Sequence, residues 1–84
     1  MYLNIGGGFV VRRADVVAVF DMDNATWSRI TRGALALAEK RGEVINAAED
    51  IPRSFILCEE RGVRRAYLSQ LSSAAIARRS MESR

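Results

Sequence analysis

The stretch Glu49-Asp50-Ile51-Pro52-Arg53-Ser54-Phe55-Ile56-Leu57 decides how this chain is read. It holds the only proline, an acidic pair, and one arginine at the mouth of an apolar run. Proline fixes its own φ and pushes the preceding Ile51 out of the helical region. The segment is therefore a stiff elbow that delivers Arg53 to the start of a strand, Ser54-Phe55-Ile56-Leu57-Cys58. A guanidinium held on a stiff elbow suits recognition of an anion, or of a carboxylate on another copy of the chain. Nothing around it suits bond-breaking chemistry.

Working towards the C-terminus, Glu59 to Gly62 reads as a charged turn and Arg64–Ser69 as a further strand. Ser72 or Ser73 caps a terminal helix containing Ala75, Ile76 and Ala77. The residues from Arg78 onwards are polar and are expected to fray. Working towards the N-terminus, Glu43–Ala48 reads as a strand. Thr26 to Arg41 is the clearest helix, with Trp27, Ile30, Ala34, Leu37 and Ala38 forming an apolar stripe at three- and four-residue spacing. Asn24 or Thr26 can cap its start and Gly42 can end it in a left-handed conformation. Gly33 inside that helix costs roughly 1 kcal/mol against alanine, which a close backbone approach would explain. Val16-Val17-Ala18-Val19-Phe20 is a β-branched run that reads as a strand buried on both faces. Asp21, Asp23 and Asn24 follow as a polar turn, better explained by helix capping than by a metal loop. Tyr2–Ile5 and Phe9–Arg12 flank Gly6-Gly7-Gly8 as a hairpin. No lysine or hydroxyl residue follows the glycines at phosphate-loop spacing. The expected order is β-β-β-α-β-β-β-α, an α+β domain with a small antiparallel-rich sheet, a central amphipathic helix and a short C-terminal helix. Residues 1–79 form one domain on this reading, and 80–84 a frayed polar tail.

The 84 residues suffice for one small domain, 49% hydrophobic and 27% charged. A chain this short buries only about 60% of its unfolded surface, so association into a homo-oligomer would supply missing burial. Thirteen Lys+Arg against ten Asp+Glu give +3, and Lys40 is the only lysine. The charge is uneven: residues 1–42 carry a net +2, 43–60 a net −4 and 61–84 a net +5. An acidic middle between basic ends fits either solvated surface or head-to-tail contacts between subunits. The single cysteine, Cys58, alternates within a strand pattern and reads as a buried structural thiol. No apolar run is long enough to span a membrane and the N-terminus lacks the pattern of a signal peptide, so a cytoplasmic location is expected.

Catalysis finds little support. There is no histidine, which removes the commonest general base and metal ligand. One cysteine without histidine excludes the usual zinc sets, and a Cys58 nucleophile would lack an imidazole partner. No catalytic residue, metal or cofactor is expected, and no small-molecule substrate.

Four separated motifs occur in order: Tyr2-Leu3-Asn4-Ile5-Gly6-Gly7, the Val16–Phe20 run followed by Asp21, Ser28-Arg29-Ile30-Thr31-Arg32, and Glu49-Asp50-Ile51-Pro52-Arg53-Ser54-Phe55. Tyr67-Leu68-Ser69 and Leu71-Ser72-Ser73 complete the pattern. In these motifs the chain resembles the RemA/RemB family of bacterial extracellular-matrix regulatory proteins, in particular its RemB type, over roughly residues 1–79. The resemblance implies a DNA-binding transcription regulator of biofilm-matrix genes. It also implies a closed homo-oligomeric ring that presents basic residues to DNA, and a fold likened to LytTR DNA-binding domains. RemA-like sequences carry an arginine pair just before the strand that Ser54 begins and an arginine before their third strand. Here those positions hold Asp50, Ile51 and Asp15, so the resemblance carries no DNA contact to them. On the regulator reading Arg29, Arg32 and Arg53 contact phosphates, with Arg12 and Arg13 as secondary candidates. The alternative is a protein-interaction or assembly module, in which the same arginines pair with acidic segments of a neighbour and DNA is not bound.

Overall fold

A computed structural model of the chain describes residues 2–22 and 29–82, with side chains at all of these except 30, 31, 81 and 82. The elements run β1 (Tyr2–Gly6), β2 (Phe9–Arg12), a 3-10 turn (Arg13–Asp15), β3 (Val16–Asp21), α1 (Arg29–Lys40), β4 (Val44–Asn46), β5 (Ser54–Glu60), β6 (Val63–Ser69) and α2 (Ser73–Glu82). The order is that expected, and the fold is α+β. The sheet is not single, however. β1 and β2 form their own antiparallel hairpin, and a four-stranded sheet has the order β3-β5-β6-β4. In the latter β4 runs parallel to β6 and the other pairs are antiparallel.

β5 is the strand around which this sheet is built, because its side chains alternate between two separate cores. Phe55 and Leu57 face one core with Ala66, Leu68, Val44 and Phe20, over which α1 lays Ala34, Leu35 and Ala38. Phe20 and Phe55, opposite one another in the register, stack at 4.5 Å between ring centroids. Ile56 and Cys58 face the other core with Tyr67 and Ile45, closed by Leu3, Ile5 and Val11 of the hairpin and by Ile76 of α2. The hairpin and α2 thus cover one face of the sheet and α1 the other.

Two expectations fail here for identifiable reasons. β3 is an edge strand rather than a strand buried on both faces: its residues alternate in exposure, with Val17 63% and Val19 37% exposed. A bulge between Val16 and Ala18 leaves Val17 without an opposite residue on β5. The apolar stripe of α1 is also rotated. Leu35 packs inward with Ala34 and Ala38, while Leu37 is exposed. A helix this rich in alanine defines its buried face weakly, and the sheet selects the phase. Trp27, the side chain of Ile30, the caps at Asn24 and Thr26, and Asp23 lie outside the described residues. Asp21 is the last residue of β3 rather than part of a turn.

Other boundaries shift modestly. The Glu59–Gly62 turn tightens to Arg61-Gly62, both with positive φ, so β5 and β6 each lengthen into it. The expected Glu43–Ala48 strand shrinks to Val44–Asn46. α2 starts with the Ala75 amide donating to Ser72 Oγ at 3.1 Å, which makes Ser72 the capping residue. Its helical geometry continues to Glu82, beyond the Arg78 at which a polar tail was expected.

The glycine triplet closes the β1–β2 hairpin as expected, and Gly7 has a further constraint. Its φ is +61°, and a Cβ there would collide with the carbonyl oxygen of Ala47. The hairpin therefore sits directly on the chain leaving β4. No such neighbour exists at Gly33, where a Cβ would meet open space, so the close approach expected there is absent. In urea denaturation, Gly7→Ala is accordingly expected to lose at least about 2 kcal/mol through backbone strain and collision. Gly33→Ala is expected to gain roughly 0.5–1 kcal/mol through helix propensity.

Candidate functional site

The elbow at Pro52 is held on both sides by hydrogen bonds to its backbone. Before it, the Ala47 amide donates to the Leu68 carbonyl at 2.9 Å, and the Glu49 amide donates to Gln70 Oε1 at 3.0 Å. After it, the Arg53 amide donates to the Ser69 carbonyl and the Arg53 carbonyl accepts from the Met22 amide, both at 2.8 Å. Arg53 is thus pinned between the ends of β3 and β6. Its side chain is exposed and engaged in an interaction of its own. Two serines secure the same end from beneath. Ser54 Oγ donates to the Leu71 carbonyl at 2.7 Å, and Ser69 Oγ donates to the Ile5 carbonyl at 2.6 Å while accepting from the Leu71 amide at 3.0 Å. Both serines are fully buried, and these bonds satisfy them.

Arg29 and Arg32 are exposed in the first turn of α1. At the other end of the helix, Ala38 and Arg41 lie with Leu57 and Arg64. The first turn, with its two arginines, therefore leads back towards the end that carries Arg53.

Arg12 and Arg13 lie elsewhere. They precede β3, whose six residues separate them from the elbow end by about 20 Å. Arg12 is engaged by Asp15, with Nε to Oδ2 at 3.9 Å, and Arg13 also has a partner. The five candidate arginines therefore divide into three associated with the elbow end and two at the opposite end.

That opposite end holds charged residues that sequence reasoning passed over. The β5–β6 register sets Glu59 opposite Arg64 and Cys58 opposite Arg65. Arg64 lies 3.7 Å from Glu59. Arg65 makes a closer contact with Glu60, 2.8 Å from Nε to Oε1, and the Tyr67 hydroxyl also donates to Glu60, at 3.1 and 3.2 Å to its two oxygens. The signal was the sequence Glu59-Glu60-Arg61-Gly62-Val63-Arg64-Arg65 itself. Once the turn is placed at Arg61-Gly62, the acidic and basic pairs must meet across the strands. These arginines are consequently part of an ion-pair network.

Among the described residues no group of three or more His, Cys, Asp or Glu could hold a metal ion. Cys58 is fully buried. Burial, and then the negative charges of Glu60 and Asp15, push its thiol from 9.0 up to about 12, so it is protonated and unreactive at neutral pH. Burial also leads in pushing the Tyr67 hydroxyl from 10.0 up to about 12, with the hydrogen bond to Glu60 next. No helix among the described residues is long and apolar enough to cross a membrane.

Comparison with known proteins identifies a family. The family described as RemA-like, extracellular matrix regulatory protein A-like, matches residues 2–79. No curated protein matches the chain.

The two raised pKa values give stability a defined pH dependence. Both groups stay protonated in the folded state at pH values where the unfolded chain has lost the proton. Their contribution is complete below about pH 9 and is lost progressively as pH rises towards about 12. The urea midpoint is expected to fall across that window, and Cys58→Ser to flatten the fall that begins near pH 9. A native thiol titration should find Cys58 silent until the chain unfolds.

Proposed function

This chain belongs to the RemA-like family of extracellular matrix regulatory proteins, and from that membership we propose that it is a RemB-type, non-enzymatic transcription regulator that binds DNA as a ring-shaped homo-oligomer in the bacterial cytoplasm. The observation that supports this reading is the pinning of the Arg53 backbone between the ends of β3 and β6, with the exposed Arg29 and Arg32 in the first turn of α1 as its companions. Guanidinium groups on a pinned elbow and a helix lose little freedom on binding phosphate. Phosphate contacts fix position on the duplex and do not read bases. Specificity then comes from the repeated spacing of subunits and from how readily the DNA bends around them. Three arginines bind weakly alone, whereas a ring repeats them, and linked copies multiply affinity without new contacts.

The departures from the RemA pattern fall at both ends of the sheet. Asp15 engages Arg12, and Asp50 and Ile51 are both exposed on the elbow. These substitutions restrict the phosphate-binding residues to Arg53 and the α1 pair. They also make Arg12 and Arg13 secondary, since both lie across the sheet.

Titration of the oligomer into labelled duplex DNA tests this. Affinity is expected to fall by orders of magnitude between about 50 and about 200 mM salt, as counterion release from several phosphates requires. The double charge reversal Arg29→Glu, Arg32→Glu is expected to lower affinity at least tenfold and flatten the salt slope with the oligomer intact. The pair Arg12→Ala, Arg13→Ala should change it far less. An intact oligomer that binds no DNA at low salt would overturn the regulator reading in favour of a protein-interaction module.

A further inference from the structure

The core beneath α1 is incompletely filled. The helix lays Ala34, Leu35 and Ala38 on the sheet, and two alanines in three fill little of the space above β5. Protein interiors hold few voids larger than a water, so a helix face this small leaves a gap. The gap is a groove of about 210 Å3, with Ala34, Leu37 and Ala38 of α1 and Leu57 of β5 as its apolar lining. Its volume is several times the ~30 Å3 that a water occupies in the liquid. Leu37, out of phase with the buried face of α1, stands nearly half exposed at this gap.

The remaining lining residues are charged: Arg41, Arg64 and Glu43. Arg41 follows the last turn of α1, where its amide donates to the Leu37 carbonyl at 3.1 Å. The Glu43 amide donates to the Ala38 carbonyl at 2.9 Å. The closure of the helix thus fixes the backbone from which Arg41 projects. Among the described residues its exposed guanidinium makes no ion pair. Arg64 is held only loosely by Glu59, at 3.7 Å with both side chains more than half exposed. An apolar gap therefore lies beside one cation with no internal partner and another whose partner is weak. Two arginines against one glutamate leave the lining with a single net positive charge.

We infer that this groove binds a small amphipathic carboxylate, with its hydrocarbon chain on Leu37 and Leu57 and its head on Arg41 and Arg64. The lining selects this class of ligand in three ways. The alanines and leucines take an apolar body, and each methylene buried there is worth roughly fourfold in affinity. The guanidinium fork matches a planar carboxylate. The single net charge suits one carboxylate, whereas Glu43 opposes a more highly charged head such as a phosphate ester. The size of the gap admits a free acid with a chain of several carbons. The ligand is held and not converted, since Glu43 is the only titratable group in the lining besides the arginines. The site uses the C-terminal half of α1, apart from Arg29 and Arg32 in its first turn, so the inference stands independently of DNA binding and of any contact between subunits.

The test titrates sodium octanoate into the isotopically labelled full chain and follows the backbone amides by NMR. Saturable shifts are expected at Leu37, Ala38, Arg41, Leu57 and Arg64, with half-saturation at or below roughly 1 mM. Butyrate, with a shorter chain, and octylammonium, with the opposite charge, are each expected to bind at least about tenfold more weakly. The double variant Arg41→Gln, Arg64→Gln keeps the apolar gap and should weaken octanoate at least about tenfold. Ala34→Leu fills the gap and should abolish binding, and leucine is nearly as good a helix former as alanine. Should that variant not fold, the arginine pair, exposed on the folded chain, still decides. Absence of saturable shifts overturns the inference. So do equal binding of octylammonium, unchanged affinity in the arginine double variant, and shifts that are as large at Tyr2 and Ile51, whose exposed side chains report adsorption to any apolar surface.

Discussion

The burial of β5 on both faces is the constraint from which the rest of the molecule follows. A strand whose successive side chains enter two different cores needs two covers, and a chain of 84 residues has few elements to supply them. One helix covers the Phe55 and Leu57 side. The other side needs a hairpin and a second helix together, which bring Leu3, Ile5, Val11 and Ile76 onto Ile56 and Cys58. Full burial of Phe55, Ile56 and Cys58 is worth roughly 1.5–3 kcal/mol for a side chain the size of phenylalanine or isoleucine, and neither core forms if β5 slips by one residue, since every side chain would change face.

Polar chemistry locks the register that apolar burial demands. Ser54 and Ser69, paired opposite one another at the elbow end, turn their hydroxyls to the carbonyls of Leu71 and Ile5. Each oxygen is fully enclosed, so a displaced register would strand a buried hydroxyl at a cost of about 1–3 kcal/mol. The same two residues flank the backbone bonds of Arg53. The fixity of the elbow is therefore inherited from the core, and a recognition surface at this end needs no ordering of its own when it meets a partner.

The sequence made much of this legible because local periods dominate in a small domain. The elbow at Pro52, the hairpin at the glycines and the buried thiol at Cys58 are consequences of residue chemistry within a few positions. What escaped was set at long range. A β-branched run such as Val16–Phe20 reads alike in a central strand and in an edge strand with apolar exposed residues, and only pairing with β5 tells them apart. The phase of α1 was misjudged by two residues at Leu37 because alanines surround both candidate faces. The sequence ranked Arg12 and Arg13 below the other candidate arginines without showing where they lie. Antiparallel strands separate Arg12 and Arg13 from Arg53, which no count of charge could show, whereas the ion pairs across the β5–β6 turn follow from the turn position alone.

The bond from Ser69 to Ile5 spans 64 positions, and this separation sets a timetable. The hairpin emerges from the ribosome well before the surface that seals it, which ends with Ile76. At ~5–20 residues per second, Leu3, Ile5 and Val11 wait about 4–14 s before their partners exist. The core beneath the hairpin therefore cannot close until Ile76 has been added. For those seconds the apolar side chains of the hairpin are open to chaperones.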